Sequence, residues 1–194
     1  MSKYFFIHGA WASKNSFNYV VDNIDSKEIE LFEYCCQKEN PEDIIKRAVQ
    51  EVKKFDGDVT IVGHSLGGIL ATHLHKHAKR IVTVAAPLNG VDSLNFMMHY
   101  LLAFYAPVFK HITPNARFIK DMHADDYSET AFDVIVACNG YNIAMPNKPS
   151  DGTISIESQL AWTPTNATIH KVDANHHEVL IHPKTVDIIK AART

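Results

Sequence analysis

The 194-residue chain has little of what would mark a secreted, membrane-bound or nucleic-acid-binding protein. It holds three cysteines, Cys35, Cys36 and Cys138. The number is odd, and two of them are adjacent and poorly placed to pair with each other. That usage fits a reducing compartment, and none of the three has the spacing of a metal site. No apolar run reaches the ~20 residues of a membrane span. The first residues show no n-region, h-region and cleavage site, so no secretory signal is expected and the expected location is cytoplasmic. The formal net charge of -3 leaves no basic footprint for nucleic acid. What remains is ordinary for a globular protein. At 46% hydrophobic and 21% charged residues, the chain is expected to form one domain over 1–194 with a sizeable core. Composition fixes no oligomeric state.

The most informative stretch is 59–70, Val-Thr-Ile-Val-Gly-His-Ser-Leu-Gly-Gly-Ile-Leu. Residues 59–62 are apolar and β-branched, as in a buried strand. From Leu66 onward the apolar residues take a helical spacing, with Ile69, Leu70 and Leu74 on one side. Between them, Gly63-His64-Ser65-Leu66-Gly67 has the G-x-S-x-G spacing of a nucleophile elbow. A strand that runs straight into a helix needs a tight turn with a strained middle residue and neighbours without bulk, which Gly63 and Gly67 supply. The strain lifts the Ser65 hydroxyl above the sheet. It also sets the Leu66 N–H at a helix N-terminus, where a developing oxyanion is stabilised.

Read in order, the chain alternates strands and helices. Residues 4–7 are a first apolar strand ending in His8-Gly9-Ala10-Trp11. A glycine there lets backbone approach a ligand, and Ala10 is the expected second oxyanion donor. A helix is expected over 16–24, then a strand over 29–34. Asn40-Pro41-Glu42-Asp43 starts a helix, with Ile44, Ile45, Ala48, Val49, Val52 and Phe55 on its apolar face and Gly57 closing it. Further strands are expected at 81–86, 133–137 and 167–172, a short helix or irregular stretch at 153–162, and a final helix opened by Pro183, with Val186, Ile189 and Ala192 facing the core. This rhythm predicts a doubly wound, parallel α/β sheet. His73, His75 and His77 follow the elbow helix; without a carboxylate or cysteine among them they are expected on a solvated helix face, with no metal bound. Residues 91–132 break the rhythm. Their apolar, aromatic run 94–109, with Met97 and Met98, is expected to form a helical cap over the C-terminal ends of the strands.

A serine hydroxyl needs a base to take its proton, and the base needs a carboxylate to fix its tautomer. Around an elbow of this kind the order is serine, acid, histidine. Asp151, in an Asp-Gly pair, is the acid expected after the fifth strand. Asp133 starts its strand at the wrong end of the sheet, Asp125 and Asp126 belong to the insertion, and Asp173 is too close to the histidines. The base should follow the last strand, where His176 and His177 stand. His182, just before a helix-opening proline, suits a capping role.

With His8-Gly9-Ala10, Gly63-His-Ser-Leu-Gly-Gly68, Ser150-Asp-Gly-Thr153 and His177-Glu-Val-Leu180, the chain resembles the α/β-hydrolase superfamily, and within it small lipase-type serine esterases. Thr113-Pro-Asn-Ala-Arg-Phe-Ile-Lys-Asp-Met122 resembles a lipase segment too, with Ala116 in place of a serine. The resemblance implies a minimal six-stranded parallel sheet flanked by helices that lacks the first two strands of larger members. Since the histidine of such lipases often precedes x-x-Leu, it implies His177 as base. It further implies hydrolysis of a small-molecule ester with an apolar part through an acyl-enzyme, without a cofactor. Ser65 would attack, His177 would carry the proton, Asp151 would orient His177, and the N–H groups of Ala10 and Leu66 would hold the oxyanion. The same triad could serve thioesters, amides or acyl transfer, or the fold could have become a ligand-binding protein that no longer turns over.

Overall fold

The computed structural model describes residues 2–91, 106–142 and 147–191. Six strands form one sheet in which every pairing is parallel: β1 Lys3–Ile7, β2 Glu28–Phe32, β3 Val59–His64, β4 Arg80–Val84, β5 Ala131–Ala137 and β6 Ala167–Val172. Their spatial order is β2-β1-β3-β4-β5-β6. The chain leaves β1 to one side to make β2 and returns on the other to make β3. The tips of β1 and β3 are therefore the point where the winding reverses, the usual place for a site in an open parallel sheet.

Both faces of the sheet are covered, so its central strands β1, β3, β4 and β5 are largely apolar on both sides. Phe5, Ile7, Ile61 and Ile81 point into one layer, and Tyr4, Phe6, Val62 and Val82 into the other. The first layer is closed by helix α2, Pro41–Val52, through Ile44, Ala48 and Val52, and by α3, Leu66–Thr72. It is also closed by α4, Arg117–Ala124, through Ile119 and Met122. The second is closed by α1, Asn18–Asp22, through Val20 and by α6, Pro183–Lys190, through Val186 and Ile189. A short α5, Ile156–Leu160, lies within 153–162, where a short helix or irregular stretch is expected. Proline opens α2 and α6 at positions where the missing N–H costs nothing. The helix expected over 16–24 is split into a 3-10 turn, Lys14–Phe17, and α1. Among the described residues no helix is long and apolar enough to cross a membrane.

Of the expected cap, residues 92–105, with Met97 and Met98, lie outside the described residues. So does Ala192. The remainder forms a 3-10 turn, Pro107–Lys110, and α4. The three histidines after the elbow do not share a solvated helix face. Helix α3 ends at Thr72, and the chain turns through a 3-10 segment, His75–His77. His75 is buried, with Nδ1 3.1 Å from the Thr72 carbonyl and its ring 4.3 Å from that of Tyr127. His73 stacks on Phe118 at 3.8 Å. The helix ends before these residues, so they do not share one of its faces: His73 packs on Phe118 of α4 and His75 against Tyr127, while His77 is exposed.

Candidate active site

Ser65 sits at the junction of β3 and α3 with φ 53 and ψ -122, a left-handed conformation that is strained for a serine. The surrounding glycines leave no alternative. A Cβ on Gly63 would run into the backbone of Gly67 and Gly68, and one on Gly67 into the carbonyls of Ile7 and His8. The turn is further held by the Ser65 N–H donating to the Val84 carbonyl at 2.9 Å. Leu66 is the first residue of α3, so its N–H has no carbonyl within the helix to donate to.

Across from the elbow, β1 delivers His8, Gly9, Ala10 and Trp11. A Cβ on Gly9 would lie 3.1 Å from both Ser65 Cβ and His64 Nδ1, so this loop presses directly on the serine. Among the described residues the Ala10 N–H donates to nothing, whereas the Trp11 N–H donates to Cys36 Sγ at 3.4 Å and the Ala12 N–H to the Gly9 carbonyl at 3.3 Å. Trp11 has φ 53, a second strained residue in the same place. Its ring stacks on Phe109 at 4.9 Å. The loop is braced from behind by Tyr34, whose O–H donates to the His8 carbonyl at 2.9 Å and whose ring stacks on His8 at 4.4 Å. Burial raises the pKa of that phenol well above its ordinary value, so it stays a donor. Burial likewise raises the Cys36 thiol, which keeps it a poor nucleophile. A cavity of about 620 Å³ opens beside this loop, lined by Trp11, Tyr34 and Cys36 together with Glu33, Glu39 and Arg47.

Asp151 is fully buried and its four lone-pair directions are used. Oδ1 accepts the N–H groups of Thr153 at 2.8 Å and Ile154 at 2.6 Å. Oδ2 accepts Gln159 Nε2 at 3.3 Å and His176 Nδ1 at 2.6 Å. The Asp151 carbonyl also takes the His176 N–H at 2.8 Å, so residue 176 is gripped by backbone and side chain together. The long loop that carries Asp151 is pinned under Gly140, where a Cβ would collide with the Asp151 backbone.

The residue brought to Asp151 is thus His176, which is buried; His177, expected in that place, is not brought to it. The reason is local. Asn175 Oδ1 accepts the N–H groups of His177 and Glu178 at 3.0 and 2.9 Å and starts a 3-10 turn, Glu178–Ile181. That start turns His177 outward to solvent and His176 inward. Val179 and Leu180 are both buried, so an aliphatic three residues on fits either histidine and the x-x-Leu spacing cannot choose. His182 caps α6, its Nδ1 accepting from the Lys184 N–H at 3.1 Å, as its place before Pro183 predicts.

Two contributors carry little or no sequence signal. Gln159, fully buried on α5, accepts the Ala137 N–H and donates to the Ala137 carbonyl, both at 3.0 Å, and so ties the end of β5 to Asp151. His64, inside the motif but at a variable position, directs Nε2 at the His176 carbonyl, 2.8 Å away. Burial pushes its pKa down to about 3, with His176 adding to the effect. Among the described residues, no group of three or more histidine, cysteine or acidic side chains is gathered that could hold a metal.

A family model described as the alpha/beta hydrolase family matches residues 4–170. No curated protein matches the sequence. Among solved structures, the chain is similar to the product of the gene lin2722 of Listeria innocua, at 19% identity and a TM-score of 0.65, over 97% of this chain and 92% of that one. It is similar to a metagenomic carboxyl esterase at 12% identity and a TM-score of 0.70, over 90% and 64% of the two chains. A monoacylglycerol lipase from Paleococcus ferrophilus gives 12% identity and a TM-score of 0.63, over 96% and 90%. At these identities the structural likeness is one of fold.

Proposed function

We propose, for a chain that belongs to the alpha/beta hydrolase family, that it is a serine hydrolase cleaving carboxylic esters through an acyl-enzyme. The observation that carries this reading is the 2.6 Å hydrogen bond from His176 Nδ1 to the buried Asp151 carboxylate, at the same end of the sheet as the strained Ser65. In this reading Ser65 Oγ attacks the ester carbonyl and passes its proton to His176 Nε2. The N–H groups of Ala10 and Leu66 take the oxyanion. His176 returns the proton to the leaving alcohol and then activates water to release the acid. Asp151 fixes the Nδ1–H tautomer and stabilises the imidazolium that forms. Residues 91–132 are assigned to a cap. Trp11 stacked on Phe109 supports this, since it joins the oxyanion loop to that segment. The substrate is a small-molecule ester with an apolar part, and three unpaired cysteines favour a cytoplasmic setting.

The test is hydrolysis of a nitrophenyl-ester series from acetyl to octanoyl. Turnover that disappears in Ser65→Ala is expected. Undiminished turnover in that variant would reject the reading, and a sharp preference for acetyl esters would reject its apolar substrate.

A further inference from the structure

The loop that carries His176 joins β6 to the Glu178–Ile181 turn and is held at residue 176 by three hydrogen bonds. Two come from Asp151, through its carbonyl and its carboxylate. The third comes from His64, the residue next to the serine. Asp151 belongs to a long loop after β5. Only the His64 contact runs straight from the strand of the nucleophile to the backbone of the base. We propose that His64 is a positioning residue, whose Nε2–H holds the His176 carbonyl and so sets the imidazole at Ser65. The proposal rests on the triad reading above.

The chemistry of the contact fixes the state of the ring. A carbonyl oxygen can only accept, so Nε2 must carry the proton. In a neutral ring Nδ1 is then a bare acceptor, and among the described residues that atom is buried without a partner. It faces Gly9, whose missing Cβ leaves it room. The titratable groups that face the ring are His176, His177 and His8, and each opposes a positive charge on it, as does burial. Neutrality has a use. The two rings lie 4.8 Å apart, and His176 must become an imidazolium during each acyl transfer. A cationic neighbour would resist that step, whereas a neutral N–H donor holds the backbone without opposing it.

Substitution separates the hydrogen bond from the volume of the ring. The amide nitrogen of a glutamine reaches where Nε2 stands, and that of an asparagine only where Nδ1 stands. His64→Gln is expected to keep kcat within about threefold, and His64→Asn and His64→Leu to lose about tenfold to a hundredfold in kcat with KM nearly unchanged. A wild-type kcat in the asparagine or leucine variant would overturn the proposal. So would a glutamine variant as slow as leucine, or a loss confined to KM. Independently of turnover, nitrogen NMR of histidine-labelled protein should show one ring in the Nε2–H form from about pH 8 to about pH 5, absent from His64→Gln. A His64 ring that titrates in this range, or that carries its proton on Nδ1, overturns the proposal whatever the enzyme hydrolyses. Activity surviving Ser65→Ala would instead reject the triad and leave this signal in place.

Discussion

Two aspartate–histidine pairs, each built on a buried carboxylate, stand at opposite ends of the same sheet. Asp151 meets His176 at 2.6 Å, and Asp133 meets His170 at 2.6 Å. Both aspartates are fully buried. By distance alone the pairs are indistinguishable, although the His170 side chain is about a quarter exposed and that of His176 is buried. Their surroundings differ. Asp133 also takes Arg80 Nε at 2.8 Å, and the same guanidinium donates to the carbonyls of Ile188, Ile189 and Ala191 at the C-terminal end of α6. That cluster neutralises a buried carboxylate and caps a helix, and it lies near the starts of β4 and β5. Among the described residues no guanidinium meets Asp151. Backbone N–H groups and the Gln159 amide satisfy it, leaving His176 as the one partner whose charge can change. On the proposed reading, an aspartate–histidine pair is a structural tie or a proton-handling device according to where the topology puts it and what else touches the carboxylate.

Exchange of each aspartate for asparagine breaks the comparison most sharply. Asp151→Asn should lower kcat by about 10⁴, roughly 5 kcal/mol in the barrier, by allowing the wrong tautomer of His176, while the protein stays folded. Asp133→Asn should do the reverse. It leaves Arg80 buried with a weaker partner and should cost about 3–5 kcal/mol of stability in urea unfolding, with activity per folded molecule preserved. Equal activity losses in the two variants would erase the distinction between the two pairs.

Histidines that lack a hydrogen-bonding carboxylate sharpen the contrast through pH. Burial pushes the pKa of His64 down to about 3 and that of His73 to about 4, against 6.5 for the free side chain. In the unfolded chain both regain the ordinary value. Between about pH 6.5 and pH 4 the unfolded state thus binds up to two more protons than the folded one. Stability from this source is fully present above about pH 6.5 and is lost as pH falls, at up to about 1.4 kcal/mol per pH unit for each ring. Urea unfolding across this range should show that slope, and His64→Gln should flatten it. A slope unchanged in the variant would contradict the buried, neutral state of His64. The smallest effect belongs to the neighbouring position. His177→Ala should change kcat by less than about threefold, because its ring is exposed and outside the hydrogen bonds of Asp151.

Much of this arrangement is legible in the chain itself. The winding order follows from apolar runs alternating with helical spacing, and the elbow from a glycine pattern whose steric reason the structure supplies in the contacts of Gly63 and Gly67. Asp151 could be placed by elimination because few acids stand after β5. What stayed out of reach depends on directions rather than order. Whether His176 or His177 faces inward is set by the Asn175 cap, a single local hydrogen-bond choice that shifts the chain by one residue. The roles of Gln159 and His64 depend on partners 22 and 112 residues away, which no local pattern carries. Apolar spacing alone cannot tell a helix two turns long from a longer one, so it does not reveal that the histidines after α3 leave the helix.

The central claim is that Ser65 is activated by His176. Its most direct test is fluorophosphonate labelling with peptide mapping of the adduct in wild type, His176→Ala and His177→Ala. The account predicts an adduct on Ser65 that forms at nearly the wild-type rate in His177→Ala and is lost in His176→Ala. Labelling that survives in His176→Ala and is lost in His177→Ala, or an adduct on any residue other than Ser65, would contradict it.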